Sequence, residues 1–526
     1  MLQQLSHFIN TIETESMALL LYIIVTLVAL MIFYLKRQQT YWTRKGVQQI
    51  NPQFLFGNFK DFAVRKQSFG DLFLKLYKEL KKRDVKHGGV YVFTRPTYVP
   101  LDLDIIKAIM VKDFDIFMNH GTYFNEKQDP LTMHLFNLEG SKWKSLRAKL
   151  SPTFTSGKMK MMYQTFVKCA TELNDMLSEY CEKLEPVEIK EVLARFTTDI
   201  IGSCAFGLEC NCMKQPNSEF RKYGKRIFHR THKENLYQIL SIVVPKSVLS
   251  ILGIKITPPE VENFFIKIVR ETVEYRETNK VARPDFLQLL LQLRQQGYVS
   301  NDDNIEIQKE TDQTHLSMPD LAAQCFVFFA AGYETSSTTM TFALYELAQN
   351  QQIQEKLREE IGEVLRKHKN KMTYEAVMDM HYLDRVIQEA LRKYPPVPGT
   401  IRKCLQDYKV PGTHTIIDKG TNVHIPIFGI HMDPDYYPNP TNFDPDRFTE
   451  ENKSARPAFT WLPFGEGPRI CIGLRFGLLQ SKVGIATVIK NFKLSVNEKT
   501  VTPLVMDPDS FISSAKGSVW LNMTKV

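Results

Sequence analysis

Residues 461–477 read WLPFGEGPRICIGLRFG, and this stretch determines how the rest of the chain is interpreted. It places Cys471 where a glycine-rich loop enters a helix, so unpaired backbone N–H groups can point at the sulfur. Such groups lower the pKa of a thiol and favour the thiolate. Gly467 and Gly473 let the backbone approach a flat ligand closely, and Phe464 can shield the same face. Taken alone, such a cysteine is more often a buried thiol in a tight turn.

The positions of Phe464, Gly467, Cys471 and Gly473 fit the spacing F-x-x-G-x-x-x-C-x-G. Four fixed positions match by chance roughly a few times in a thousand in a chain of this length, so the signal is specific. The spacing resembles the signature of the cytochrome P-450 family of haem-thiolate monooxygenases. The resemblance implies that haem is the cofactor and that Cys471 is the proximal ligand of its iron.

A long apolar helical stretch at residues 319–349 contains Ala331 to Thr335, with the sequence AGYET. It is similar to the A-G-x-[DE]-T segment with which the family's distal helix passes over the haem, so Ala331 and Gly332 are expected to lie against it. Gly332 costs about 1 kcal/mol of helix propensity, and we expect a local opening there. Thr335 and Glu334 are the candidate proton relay. The alternative is a glycine that serves packing and a threonine bonded to its own backbone.

Haem carries two propionates, which need cationic or hydrogen-bonding partners in a largely apolar cleft. Trp143 and Arg147 fit a W-x-x-x-R pattern of the family. The resemblance also places Arg402 and Arg469 at propionate-binding positions. His120 lies near a position where some relatives have another basic ligand, and a solvated loop histidine is the alternative.

A further group of charged residues concerns the fold. Glu389 and Arg392 lie three residues apart before Tyr394-Pro395-Pro396, similar to the family's E-x-x-R pair. Alone, such a pair is usually a surface ion pair of little value. The family pattern adds a third member from a later loop, and Arg447 is the candidate. A buried Arg-Glu-Arg network would hold the fold around the haem.

Composition and charge narrow the class of protein. The chain of 526 residues has 67 basic and 58 acidic side chains, and a net charge of +9 is compatible with nucleic acid, an anionic membrane or an acidic protein. The resemblance favours the last two, and no nucleic-acid partner is expected. The eight cysteines form no paired framework, which indicates a reducing compartment. Cys204, Cys210 and Cys212 lack a second pair, so they are interpreted as buried structural thiols.

Residues 17–35 (MALLLYIIVTLVALMIFYL) carry no charge. As a helix they span about 28 Å, close to the hydrocarbon thickness of a bilayer. They lack the short apolar region and small-residue cleavage site of a signal peptide, so an uncleaved anchor is predicted. Basic residues follow the span, and the positive-inside rule places residues 1–16 in the lumen and the body in the cytosol. Resemblance to microsomal relatives assigns the membrane to the endoplasmic reticulum.

Residues 36–59 are predicted to be a linker, and residues 60–526 a single large haem domain. The domain is predicted to be mainly α with small β-sheets, in the α+β class, behind one transmembrane helix. Strands are predicted at residues 88–93 and 97–101, and an exposed loop at residues 300–314. Apolar periodicity predicts helices at residues 142–182, 187–207, 260–277, 285–296, 319–349, 351–367 and 382–394.

The resemblance implies monooxygenation: RH, O2, two electrons and two protons give ROH and water. No G-x-G-x-x-G motif occurs in a strand-turn-helix setting, so the electrons are expected from another protein. The family's NADPH-dependent reductase is the expected partner, and cytochrome b5 is a further candidate. Lys142 to Lys160 contains six basic residues and no acidic ones, which suits a docking face. A solvated helix face is the alternative.

Phrases such as RPDFLQLLLQL and IPIFGIHMDPDYYPNP resemble the insect detoxification-type clan of the family. The expected substrate is a lipophilic small molecule, with xenobiotics, insecticides, hormones and fatty acids left open. The resemblance places the pocket walls, rich in apolar side chains, at Phe117–Leu138, residues 215–260, Phe326–Thr335, Val397–Ile401 and Ser510–Ser514.

Two other functions remain open from the sequence. A haem-thiolate protein can catalyse isomerisation or dehydration without external electrons, or bind haem as a sensor. Thr335 and Glu334 speak against both, because neither function needs a proton relay.

Overall fold

Most helices of the chain bury one apolar face, as the 3.6-residue periodicity predicts. The computed structural model describes residues 1–229, 231–296 and 316–526, so the predicted loop at residues 300–314 lies outside the described residues. The helices before that loop are α1 (Leu2–Gln38), α2 (Tyr41–Arg44), α3 (Lys60–Ala63), α4 (Phe69–Lys81), α5 (Leu103–Lys107), α6 (Gly140–Leu150), α7 (Ser156–Glu182), α8 (Ile189–Phe206), α9 (Glu219–Phe228), α10 (His232–Val243), α11 (Lys246–Ile251), α12 (Pro259–Asn279) and α13 (Phe286–Gln296).

The longest helix in the body of the protein is α14 (Met318–Gln349). It begins with a capping box in which Ser317 and Asp320 each bond to the other's backbone N–H. It is buried along most of its length and packs most extensively against α8. The remaining helices are α15 (Gln351–Lys367), α16 (Tyr374–Met378), α17 (His381–Lys393), α18 (Ile427–His431), α19 (Glu450–Ala455) and α20 (Leu474–Asn491).

The predicted helices are confirmed, with one division. The stretch predicted at residues 142–182 forms α6 and α7, separated by a 3-10 turn at Ser151–Phe154. Pro152 lies in this turn and cannot continue an α-helix, because it lacks the backbone N–H.

The strands form small sheets, as predicted. They are β1 (His87–Val92), β2 (Arg95–Pro100), β3 (Val187–Glu188), β4 (Thr400–Lys403), β5 (Tyr408–Lys409), β6 (Ile416–Ile417), β7 (Asn422–Ile425), β8 (Phe492–Val496) and β9 (Trp520–Lys525). A four-stranded sheet has the order β1-β2-β7-β4, with β2 and β7 parallel and the other pairs antiparallel. A three-stranded sheet has the order β3-β9-β8, and β5 pairs with β6. Arg402 is opposite Val423 in the first sheet, which brings it into the core.

Two large hydrophobic clusters form the core. One lies among the helices, and the other surrounds the four-stranded sheet. The sheet cluster draws on residues 42–117 and 404–462, so the chain enters it, leaves it and returns. The two clusters therefore belong to one domain, as the sequence predicts.

The predicted linker is more structured than expected. Trp42 is fully buried in the sheet cluster, and Val47, Ile50 and Phe59 are buried beside it. The Trp42 indole N–H donates to the Val90 carbonyl at 3.2 Å. From Trp42 onward, the predicted linker at residues 36–59 is therefore packed on the domain, because its apolar residues lie against β1 and β2.

Helix α1 contains the predicted membrane segment. Within the described part of the chain, Glu15–Gln38 is the one helical segment long and apolar enough to cross a bilayer. Its most apolar residues are not buried by the rest of the protein. Its mean hydropathy of 2.8 and its exposure fit a lipid-facing helix.

Candidate active site

The Cys471 loop is closed by backbone hydrogen bonds. The Cys471 N–H donates to the Phe464 carbonyl at 2.9 Å, and α20 begins three residues after the cysteine. Gly467 has a φ of +72°, and a Cβ there would lie 2.1 Å from the Met110 carbonyl oxygen. Only glycine fits that position. A Cβ at Gly473 would meet nothing within 4 Å, so this residue faces open space.

The Cys471 side chain lies deep in the protein and is nevertheless accessible, which places it in an internal cleft. Burial raises the pKa of the thiol, while the Gly473 N–H and the charge of Arg147 lower it, and the net change is upward. The predicted N–H contribution is present, but desolvation outweighs it in the free protein. The thiolate therefore needs a further positive partner, such as an iron ion.

Arg469 is held by backbone carbonyls. Its guanidinium donates to Met118, Leu135, Phe136 and Leu138, at 2.7 to 3.4 Å. Four of its five N–H groups are thereby used, so one remains on Nη2. Trp143 packs against this arginine: the guanidinium carbon of Arg469 lies 4.0 Å from the centre of the indole ring, a cation–π contact.

Arg402 is a buried cation with an unused donor. Its Nη1 donates to the Thr400 hydroxyl and the Ile401 carbonyl, both at 2.9 Å, whereas the buried Nε has no partner among the described residues. Burial lowers the pKa of Arg402 to about 10. A buried guanidinium of this kind favours an acidic ligand.

The predicted propionate partners lie within electrostatic reach of one another. Burial, together with repulsion from Arg402 and Arg147, lowers the pKa of Arg469 to about 9. Glu139 is the acidic group that opposes this shift, and it is bound to Lys246 at 2.9 Å. Arg147, Arg402 and Arg469, together with the Arg402 Nε–H that has no partner among the described residues, fit the two carboxylates of a haem.

His120 is buried, so the alternative of a solvated loop histidine is wrong. Its Nδ1 lies 2.9 Å from the Phe136 carbonyl. Burial lowers the pKa of the imidazole well below its usual value, and Arg402 and Arg469 lower it further. A neutral ring is suited to donating a hydrogen bond and not to supplying charge.

The distal motif lies in an uninterrupted α-helix, so the predicted opening at Gly332 is not observed. The Thr335 hydroxyl donates to the Ala331 carbonyl at 2.6 Å. A Cβ at Gly332 would lie 3.0 Å from the Ile201 side chain, so this glycine permits close packing of α8. Ala331 is exposed although α14 is otherwise largely buried, which indicates a facing cleft.

Helix α14 passes beside the helix that follows the cysteine. A Cβ at Gly477 would lie 3.7 Å from the Ser336 hydroxyl, so α14 and α20 are in contact one residue after Thr335. Glu334 is bound through Oε1 to Lys190 Nζ at 2.8 Å. Lys190 is a partner that sequence reasoning misses, because it lies 144 residues away and belongs to no motif.

The predicted Arg-Glu-Arg network is present. Arg392 and Glu389 form two hydrogen bonds of 2.6 and 2.7 Å and are both fully buried. Arg447 Nε lies 3.5 Å from Glu389 Oε1, and the Asp444 N–H donates to the same oxygen at 3.0 Å. Sequence reasoning misses His431, whose carbonyl accepts from Arg392 and whose Nε2 accepts from the Leu462 N–H.

The basic stretch is less uniform than predicted. Lys142 pairs with Glu126 at 3.3 Å, Lys160 pairs with Glu375, and Arg147 is partly buried within electrostatic reach of Cys471. The stretch therefore presents fewer free cations to a docking partner than its six basic residues suggest, because Lys142 and Lys160 are paired with glutamates and Arg147 is partly buried.

The eight cysteines, all within the described residues, are free. Cys204, Cys210 and Cys212 are buried, and Asp199 accepts hydrogen bonds from the N–H groups of Cys212 and Met213. In the described part of the chain, no group of three or more His, Cys, Asp or Glu side chains is arranged to hold a metal ion. The burial of the three thiols is as predicted.

Several of the expected pocket segments meet one another. The Tyr123 hydroxyl donates to the Ile254 carbonyl at 3.1 Å, and the rings of His134 and Phe326 are 6.4 Å apart. The Ser513 N–H donates to the Pro396 carbonyl at 2.9 Å. Phe117–Leu138 therefore adjoins residues 215–260 and Phe326–Thr335. Ser510–Ser514 adjoins the loop before β4.

An accessible cysteine before a helix, a distal helix with a threonine, and buried arginines around one cleft define a haem-thiolate protein. The cytochrome P-450 family profile matches residues 48–521. The chain belongs to the cytochrome P-450 family, and it is a haem-binding monooxygenase of that family.

The chain is similar to insect members over nearly its whole length. It is 41% identical to cytochrome P-450 6a2 of Drosophila melanogaster over 514 residues, 97% of this chain and 100% of the relative. It is 41% identical to cytochrome P-450 6A1 of Musca domestica, covering 96% of this chain and 98% of the relative. Cytochrome P-450 6k1 of Blattella germanica is also 41% identical, over 96% of this chain and 97% of the relative.

Proposed function

We propose that this protein inserts one oxygen atom of O2 into lipophilic small molecules such as xenobiotics, insecticides, hormones or fatty acids. The observation that carries the proposal is the packing of α14 against α20 near Ser336 and Gly477, which sets the Thr335 helix beside the helix that follows Cys471. A relay residue and a thiolate ligand on neighbouring helices suit oxygen activation between them.

Each chemical role that the family implies has a candidate in this chain. Bound through Cys471, haem iron would supply O2 activation, and the thiolate favours O–O cleavage. Arg147, Arg402 and Arg469 would bind the propionates, with Trp143 packed on Arg469. Phe464 would pack beside the cysteine, and Gly473 and Ala331, whose surroundings are open, would lie against the cofactor, whereas Gly332 serves the packing of α8.

Protons would reach the distal side through two residues of α14. The Thr335 hydroxyl, which now donates to Ala331, would pass a proton onward, and the Glu334 carboxylate would replenish it. The aromatic side chains of the surrounding helices would exclude bulk water and favour lipophilic substrates.

Electrons would come from NADPH through a separate cytochrome P-450 reductase, with cytochrome b5 as a second donor. The exposed side chains of Lys144 and Arg475 leave positive charge near the Cys471 side of the molecule. Such charge suits an acidic flavoprotein domain, and the attraction should weaken as salt rises.

Reconstitution tests the proposed function. The membrane-bound protein, purified with its haem, is mixed with reductase and NADPH and assayed against a panel of lipophilic compounds. Oxygenated product that requires NADPH supports monooxygenation. Product that persists without reductase would instead indicate isomerase or dehydratase activity. A ferrous-CO spectrum without turnover on any compound would indicate a haem sensor.

Thr335→Ala should keep the haem but divert electrons from product to hydrogen peroxide. The hydroxyl of the relay is lost, whereas the helix is not disturbed, and product per NADPH should fall about tenfold or more. Thr339→Ala is the matched control, since Thr339 makes the same bond, to the Thr335 carbonyl at 2.9 Å. Equal coupling of product to NADPH in both variants would remove Thr335 from the mechanism.

The membrane orientation gives another prediction. We propose that α1 anchors the protein in the endoplasmic reticulum, with residues 1–16 in the lumen and the haem domain in the cytosol. Asn452 and Asn522 are exposed and lie in the sequons Asn452-Lys453-Ser454 and Asn522-Met523-Thr524, yet both should remain unglycosylated.

Expression in microsomes, followed by glycosidase and protease treatment, measures this directly. The control replaces residues 1–36 with a cleavable signal peptide, which sends the same domain into the lumen and shows whether its sequons are competent. A body of the native chain that is glycosylated and protected from protease would contradict the orientation.

A further inference from the structure

Lys190 is the second residue of α8, and its ammonium group lies against the middle of α14. Nζ donates to Glu334 Oε1 at 2.8 Å, to the Ser337 hydroxyl at 3.1 Å and to the Thr338 hydroxyl at 2.6 Å. A lysine ammonium has three N–H groups, so these acceptors use all of them. The side chains of Lys190 and Glu334 are 24% and 14% exposed, which limits screening of the pair by water.

The surroundings hold this cluster in place. The Ser337 hydroxyl donates to the Glu334 carbonyl at 3.0 Å, and Ser337 and Thr338 are buried. The Thr197 hydroxyl of α8 donates to the Tyr333 carbonyl at 2.9 Å, which fastens the two helices beside the ion pair. Because α8 and α14 are held together here, the backbone of Lys190 has a fixed position relative to Glu334.

Lys190 is the cation that hydrogen-bonds to Glu334. The other ionisable groups near this carboxylate are Arg221 of α9 and Tyr333 of α14. Arg221 binds Glu191 at 2.7 Å, and the Tyr333 hydroxyl donates to the Gly224 carbonyl at 2.6 Å. Arg221 is therefore paired with another carboxylate, and the Tyr333 hydroxyl, which also lies near Glu334, carries no positive charge.

A small cavity adjoins the cluster. Its volume is about 30 Å³, and Lys190, Thr338, Thr341 and Ser514 are among the residues that line it. This is enough space for one water molecule with polar partners. Thr338 is both a wall of the cavity and an acceptor of the ammonium, so water can reach the cluster without displacing Glu334.

We propose that Lys190 is a positioning residue that fixes the Glu334 carboxylate on the distal helix. The inference rests on the proposed relay of Glu334 and Thr335. Without the ammonium, the flexible glutamate would turn toward water, and fewer electrons would end in product. Lys190 touches neither substrate nor cofactor in this role, so it acts through Glu334 alone.

Lys190→Met and Lys190→Arg separate this role from simple packing. The methionine has a similar volume without the charge, and product per NADPH should fall about tenfold while peroxide rises, the effect of losing one charge-assisted hydrogen bond. Arginine keeps the charge and its donors, so it should restore most of the coupling. The KM for substrate should change little. Lys267→Met on α12, where the lysine is 73% exposed, is the control.

Hydrogen exchange supplies a readout that does not depend on turnover. The amides of residues 331–338 should exchange faster in Lys190→Met than in Lys190→Arg or Lys267→Met. Unchanged exchange would overturn the positioning role, whether or not the protein is active. Faster exchange with unchanged coupling would also overturn it. Failure of the wild-type protein to oxygenate any compound would contradict the proposed function, while exchange still reports on Lys190.

Discussion

Replacing Cys471 with serine should abolish the red-shifted ferrous-CO absorption band and reduce product formation to background. A serine hydroxyl is a hard, weakly acidic donor and does not replace a thiolate as a ligand of iron. The change is nearly isosteric, and the backbone bond from residue 471 to the Phe464 carbonyl remains. Difference spectroscopy of the dithionite-reduced, CO-treated protein measures the band, with total haem measured on the same sample.

Cys181→Ser is the matched control for the loss of a thiol. Cys181 is partly buried and its thiol donates weakly to the Met523 carbonyl, 3.5 Å away, far from the glycine-rich loop in sequence. This variant should keep the wild-type band and turnover. A normal band in Cys471→Ser would mean that another side chain binds the iron.

The helical fold and the cysteine loop follow from local signals. Apolar periodicity is a property of consecutive residues, so α12, α14 and α15 are predicted within a few positions of their observed ends. The loop at Cys471 is equally local, because its glycines and the following helix lie within one short stretch. The requirement for glycine at position 467 is not local, since the Met110 carbonyl that excludes a Cβ comes from a distant segment of the chain.

Features that depend on packing between distant segments are predicted less well. The linker prediction at residues 36–59 relies on proline and glycine and cannot detect that Trp42 packs under β1. The predicted opening at Gly332 fails for a related reason: glycine is needed there for the approach of Ile201. The pairing of Lys190 with Glu334 joins two helices and leaves no pattern in the sequence.

The role of a charged residue also depends on whether it is buried. The stretch from Lys142 to Lys160 is uniformly basic in sequence, yet Arg147 is partly buried near Cys471 and Lys160 pairs with Glu375. Glu389 and Arg392 have the same spacing as the surface pair Glu450 and Lys453. The first pair is fully buried, and the acid of the second is 89% exposed.

The buried pair should therefore contribute far more to stability than the surface pair. Arg392→Met should destabilise the protein by about 3–5 kcal/mol, because it leaves the Glu389 carboxylate buried with only Arg447 as a cation. Arg392 also donates to the His431 carbonyl at 3.0 Å, which ties α17 to α18. Urea unfolding of the haem-loaded protein measures the loss, and the yield of haem-containing protein should fall with it.

Glu450→Gln in α19 is the control, because it breaks the surface ion pair between Glu450 and Lys453, which has the same three-residue spacing. Water screens that pair, so unfolding and haem content should remain those of the wild type. Glu389→Gln should lie closer to Arg392→Met than to this control, since an amide still accepts from the Asp444 N–H but leaves two arginines without an anion. If Arg392→Met unfolded at the same urea concentration as Glu450→Gln, the buried network would not be holding α17 against the loop that carries Arg447.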